Sequence, residues 1–182
     1  MILYGNTGEL KINNMSLTTD RNDPKLKEGQ KNKTGQHEIY LVLSEEERVK
    51  GFVRPYRDSY VHVGKKLERK GTLQSLEEGL ENLSDWAKKE YTKENGWGGC
   101  LKYPESESPL TGRFLKQKEW DAFQNGKDYV GGCGTLTRMG QALSETYARD
   151  PKFYGATFCV GCNKHLPVDE FMWDGTNETV GS

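Results

Sequence analysis

The spacing of apolar residues changes along the chain. In Glu38-Ile39-Tyr40-Leu41-Val42-Leu43, β-branched and aromatic residues run together, which reads as a strand. Ser59-Tyr60-Val61-His62-Val63 has the same character. Between them, Ser44-Glu45-Glu46-Glu47 has the Ser-x-x-Glu form of a capping box, predicting a short helix to about Lys50 that Gly51 ends. From residue 72 the period becomes helical. Leu73, Leu76, Leu80, Leu83 and Ala87 recur at three- and four-residue steps with Trp86 beside them, predicting one helix over 72–93. A second helix is predicted over 114–124, burying Leu115, Trp120 and Phe123. A third over 136–149 turns Met139, Ala142, Leu143, Thr146 and Tyr147 to one side before Asp150-Pro151 stops it. Glu170-Phe171-Met172-Trp173 returns to strand character. The mixture predicts an α+β fold. Residues 1–37 are polar and read as an irregular N-terminal arm with a short strand at its start, and Asn95–Cys100 and Tyr103–Thr111 read as loops.

Composition narrows the class. The chain has 182 residues, room for one domain with or without an insertion. Mean hydropathy is −0.86, so the core is modest, but 10% aromatic residues argue against disorder. The 26 basic and 27 acidic residues nearly cancel, leaving no global field to attract nucleic acid or an anionic membrane. No apolar run approaches the roughly 20 residues that span a bilayer. Met1-Ile2-Leu3-Tyr4 is too short for a signal-peptide core. The expectation is a cytoplasmic protein without a membrane partner, whose four cysteines are free or metal-bound.

The strongest chemical signal is Cys159-Val160-Gly161-Cys162-Asn163-Lys164-His165. Two thiolates at Cys-x-x-Cys spacing can grip one ion from a tight turn, with Gly161 letting the backbone bend. Zinc takes four tetrahedral ligands, mainly Cys and His. Cys133, in Gly131-Gly132-Cys133-Gly134, supplies a distant thiolate. The predicted set is Cys133, Cys159, Cys162 and His165 around a structural zinc. Two other sets fit the same chemistry. All four cysteines, including Cys100, could bind one ion, or His62 could be the fourth ligand. A redox role fits less well, because Asn163, Lys164 and Pro167 are poor material for the helix that a thioredoxin-like motif opens. There is no His-Glu-x-x-His, no zinc-deaminase pattern, no Gly-x-Ser-x-Gly elbow and no phosphate loop, so an enzyme is not expected.

Between Phe52 and Lys70, Arg54, Arg57, Lys65, Lys66, Arg69 and Lys70 stand among Phe52, Tyr56 and Tyr60. Such interleaving can hold a phosphate backbone while rings stack on bases. A solvated strand face followed by a charged loop reads equally from the same residues, and the overall charge favours it.

Two segments carry a resemblance. Leu43–Gly64 and Cys133–Cys162, running on to Phe171-Met172-Trp173, resemble an uncharacterised family of small bacteriophage and prophage proteins. The resemblance covers under half the chain. Relative to that family, residues 65–130 look like an insertion; together with the patterning and the cysteines, the expected organisation is an α+β core from residues 38–64 and 131–182 with a zinc-knuckle C-terminal lobe, and 65–130 as a helical insertion. The resemblance also implies, by analogy of class with anti-CRISPR proteins, a non-enzymatic inhibitor of a host nucleic-acid-processing complex. The partner would be a host protein or ribonucleoprotein such as a Cas effector. The alternative is a nucleic-acid-binding zinc-knuckle regulator.

Overall fold

The computed structural model describes residues 15–81, 83–104 and 112–182. The strand expected at the start of the N-terminal arm and most of the Tyr103–Thr111 loop lie outside these residues. The described chain mixes helices and strands, in keeping with an α+β fold. It divides into two units. One holds residues 15–61 and 135–182, the other residues 62–134.

Strand pairing begins in the polar N-terminal segment. β1 (Ser16–Thr18) runs parallel to β2 (Ile39–Leu41), with Leu17 opposite Tyr40. Between them lies α1 (Pro24–Glu28). Asp23 caps it through the Lys25 amide, and Gly29 ends it in the left-handed conformation (φ 59°). The described part of the arm is thus ordered. Asn22-Asp23-Pro24 reads as a turn from sequence, yet Asp at N-cap with Pro at N1 is an equally good helix start.

The chain continues into α2 (Glu45–Arg48), capped by the Ser44 hydroxyl on the Glu47 amide as its capping-box sequence predicts. β3 (Ser59–His62) follows. The second unit opens with β4 (Gly64–Lys66), β5 (Thr72–Ser75), α3 (Leu76–Leu80) and α4 (Asp85–Glu90). It goes on through β6 (Trp97–Lys102), β7 (Gly112–Lys116), α5 (Gln117–Gln124) and β8 (Tyr129–Gly131). The chain then re-enters the first unit through β9 (Leu136–Arg138) and α6 (Gln141–Arg149). It closes with a hairpin of β10 (Ala156–Cys159) and β11 (Lys164–Pro167), a 3-10 turn over Val168–Glu170, and β12 (Phe171–Trp173).

In the first unit, β3 is the central strand of a sheet ordered β12-β3-β9. β3 and β9 are antiparallel, with Tyr60 opposite Thr137. The core lies against this sheet: Tyr60, Tyr147, Cys159, Phe171, Trp173 and Val180 form one buried cluster. Its rings meet edge to face, Tyr60 on Phe171 at 5.3 Å and Tyr147 on Trp173 at 5.7 Å, the arrangement that ring quadrupoles favour. In the second unit, β5-β6-β7 form an antiparallel sheet, and Leu67, Leu101, Leu115, Ala122 and Phe123 form its core.

Three predicted helices are shorter than their apolar stripes. The 72–93 stretch starts as a strand, with Leu73 opposite Leu101, and becomes helical only after Ser75. Ser75 and Ser84 each cap a new helix, so one predicted helix becomes β5, α3 and α4. Likewise residues 112–116 are strand before α5, and 136–138 are strand before α6. Among the described residues, the segment from 65 to 130 therefore carries strands β4 to β8 as well as its helices. Asn95–Cys100, a loop by its glycines, enters β6 at Trp97. A side chain at Gly99 would sit 2.3 Å from the Trp120 ring, so only glycine lets the indole lie on the strand.

Truncation should cost most where the core is closed. Phe171→Ala, at 0% exposure, should lose about 3–5 kcal/mol of stability. Trp86→Ala, at 80% exposure, should change it by less than about 0.5 kcal/mol. Urea denaturation of the two variants checks both.

Candidate metal centre

Four potential ligands come together: His62 at the end of β3, Cys133 just before β9, and Cys159 and Cys162 on the β10–β11 hairpin. His62, Cys133, Cys159 and Cys162 place one ligand atom each within 4.8 Å of all the others. His62 is the last residue of β3 and is 3% exposed. Alternation along β3 buries Tyr60 and His62 on the same side. Cys133 precedes β9 by three residues, and the pairing of β9 with β3 brings it to His62. His62 Nδ1 lies 3.4 Å from Cys133 Sγ, close to the roughly 3.6 Å that nitrogen and sulfur ligands span around tetrahedral zinc.

The backbone at this crossing is tight. The Gly134 amide donates to the His62 carbonyl at 3.0 Å. A Cβ on Gly132 would fall 2.2 Å from the Val63 carbonyl carbon, so a side chain there would push the two chain segments apart. Glycine lets Cys133 come so close to His62, although the two are 71 residues apart.

Cys159 ends β10, and Cys162 lies in the turn of the β10–β11 hairpin. The residue that takes the left-handed conformation there is Asn163, φ 54°. The Val160 amide donates to Thr137 Oγ1 of β9, tying the turn to the sheet. Cys159 is fully buried and belongs to the aromatic core cluster, with Cys162 packed against it. Cys133 is exposed.

The structure brings three of the four sequence-predicted ligands together, but with His62 in place of His165. The reason is strand parity. Phe158 and His165 are directly opposite in the hairpin, as are Cys159 and Lys164. Cross-strand partners share a face, and neighbours along a strand take opposite faces. His165 therefore lies on the Phe158 side, its ring 5.2 Å from that of Phe158, while Cys159 points the other way. The alternation of Lys164-His165-Leu166 carries this signal, as does His62 at a buried position of its strand. Cys100 is elsewhere, in β6, its Sγ 3.9 Å from Gln74 Oε1. Burial and then the Glu78 carboxylate push its thiol pKa up.

His165 has its own surroundings. Its Nε2 is 2.8 Å from the Tyr40 hydroxyl, and its ring is 4.2 Å from that of His37. Its Nδ1 is buried without a hydrogen-bond partner among the described residues. Burial, then His37 and Lys31, lower its pKa from 6.5 to about 4. Burial, then Lys31, also lower that of His37.

The basic residues read as a nucleic-acid contact are spread over both units. In the first, Arg54 is exposed and Arg57 pairs with Glu178 at 2.6 Å. In the second, Lys65 and Lys66 are exposed on β4, Lys70 is exposed, and Arg69 pairs with Asp128 at 3.1 Å. Among the described residues no helix is long and apolar enough to cross a membrane.

The pKa shift of His165 sets a sign for stability. A histidine whose folded pKa lies below its unfolded value favours folding fully above about 6.5 and progressively less as pH falls toward about 4. Melting temperature should therefore fall between pH 7 and pH 5, and fall less in His165→Asn, which removes the titrating ring. Thermal melts of both proteins across that range give the comparison.

No protein-family model matches this chain, and no curated protein or solved structure matches it.

Proposed function

We propose that His62, Cys133, Cys159 and Cys162 hold one structural zinc ion, and that the protein works by binding rather than by turnover. The observation that carries this reading is the complete set of four protein ligands within 4.8 Å of one another. Such a set fills a tetrahedron and leaves no position for a reacting water, whereas catalytic zinc sites keep one open. Three soft thiolates with one imidazole favour zinc over hard cations. When bound, the ion supplies a cross-link. The chain's own residues do the rest: β3 and β9 hold His62 and Cys133, and the hairpin turn holds the other two.

The target in this reading is a host nucleic-acid-processing complex, such as a CRISPR-Cas effector, blocked by a phage or mobile-element protein. The resemblance of Leu43–Gly64 and Cys133–Cys162 to phage proteins supports it. So does Trp86, 80% exposed on α4, since exposed tryptophans often anchor protein interfaces. A second reading, single-stranded nucleic acid, is favoured by one local feature. Phe52 and Tyr56 are exposed, with rings 6.2 Å apart, and Arg54 between them is exposed too.

Elemental analysis is the direct test. Wild type and His165→Asn should each carry about one equivalent of zinc, and His62→Asn or Cys159→Ser less than roughly a tenth. Full zinc in His62→Asn with loss in His165→Asn would overturn the ligand set. In functional assays, inhibition should end at a fixed protein-to-target ratio and weaken in Trp86→Ala. One molecule inactivating many targets would mean an enzyme. Oligonucleotide binding that falls steeply with salt and is lost in Arg54→Ala would select the second reading.

A further inference from the structure

The four side chains of the candidate centre are unequally open to solvent. His62 is 3% exposed, and Cys159 is fully buried in the aromatic core cluster. Cys162 is half-buried in the hairpin turn, and Cys133 is exposed. One thiol of the set is therefore at the surface, and the ligand atoms of all four residues lie within 4.8 Å of one another.

Exposure decides which sulfur meets a reagent from solution. A cysteine that holds a metal ion does so as the thiolate, which is also the form that attacks an oxidant. Oxidation of protein thiols follows thiolate character and access. Cys159 lacks access and Cys162 has part of it, so a small, uncharged peroxide meets Cys133 first.

The geometry then provides a second step. A cysteine oxidised to a sulfenic acid condenses with a neighbouring thiolate to a disulfide. The two sulfurs of a disulfide stand about 2.0 Å apart, so from within 4.8 Å they close by less than about 3 Å. The backbone around Cys133 has room for that shift. Gly131 and Gly134 lie on either side of it in the left-handed region (φ 85° and 70°), with open space where a side chain would stand. Cys159 is held in β10 by its pairing with Lys164 of β11, whereas Cys162 lies in the turn. Cys162 is thus the sulfur that can approach.

We propose that Cys133 is an oxidation site for hydroperoxides, and that its oxidation closes a disulfide with Cys162 that opens the metal centre. The Cys133 thiolate attacks one peroxide oxygen. The O–O bond breaks, Cys133 becomes a sulfenic acid, and hydroxide leaves. The Cys162 thiolate then attacks the Cys133 sulfur, the S–S bond forms, and a second hydroxide leaves. Two thiolates have lost two electrons, and the peroxide has gained them. His62 and Cys159 remain, two of the four ligands that a structural site requires. Loss of the ion rests on the zinc reading above, whereas the thiol step does not.

The test uses the full-length protein as purified. Zinc is measured first, and about ten equivalents of hydrogen peroxide are then added. Released zinc is followed with a colorimetric chelator, and non-reduced peptides are identified by mass spectrometry. About one equivalent of zinc should be released as Cys133 becomes linked to Cys162, and dithiothreitol should reverse the link. With dimedone present, the adduct should form on Cys133. Cys133→His exchanges the exposed thiol for a ligand that peroxide does not convert to a disulfide. The fraction of its bound zinc released per minute should fall at least about tenfold. Release as fast as from wild type would overturn Cys133 as the point of attack. So would a dimedone adduct confined to the other cysteines, or a Cys159–Cys162 disulfide in place of the proposed one. Zinc retained after the Cys133–Cys162 link has formed would overturn the opening of the centre. Protein that holds no zinc at the outset but forms this link would overturn the zinc reading and uphold the oxidation site.

Discussion

A two-stranded hairpin gives each side chain one of two faces, and that choice governs the candidate metal centre. Because Phe158 pairs with His165 and Cys159 with Lys164, the hairpin sends its histidine one way and its buried cysteine the other. The imidazole that meets the thiols has to come from another strand. β3 supplies it, and β3 reaches the right place because it is the middle strand of the sheet, with β9 at one side carrying the approach to Cys133. Sheet order and ligand convergence are thus one geometric fact. Cys159 also sits among Tyr60, Phe171 and Trp173, so the centre is continuous with the aromatic core.

The parts of this fold that could be read from sequence are those set by near neighbours. Strands at 39–41, 59–62 and 171–173 follow from local β-branched and aromatic content, and the Ser44 cap follows from a three-residue spacing. Cys133, Cys159 and Cys162 could be grouped because few residue types bind soft metals. The identity of the histidine could not, since it depends on strand parity and on a partner 71 residues from Cys133. The 72–93 stripe misled for a related reason. Apolar residues at helical spacing can serve a strand and then a helix when a serine restarts the chain, as Ser75 and Ser84 do. At Gly98 and Gly99 the glycines mark a tryptophan packed on a strand, a long-range cause that local turn rules do not contain.

The two histidines read as candidates for one position end in opposite circumstances. His62 is buried beside a thiol, at the end of a sheet strand. His165 is held by a tyrosine hydroxyl and a second imidazole, with a lysine near enough to disfavour its charged form. Burial alone does not distinguish a candidate ligand from a packed ring. The groups that share its face do.

The tight crossing at His62 and Cys133 also bears on how such a chain can diversify. Everything between these two residues leaves and returns at one point, where glycines bring the backbone together. The closure entropy of so long an excursion depends only weakly on its length, about 0.6 kcal/mol for a doubling. Shortened, lengthened or exchanged segments could therefore be grafted at this junction while the ligand geometry stays the same. The candidate metal centre would then act as a fixed socket, and the excursion as the part free to change.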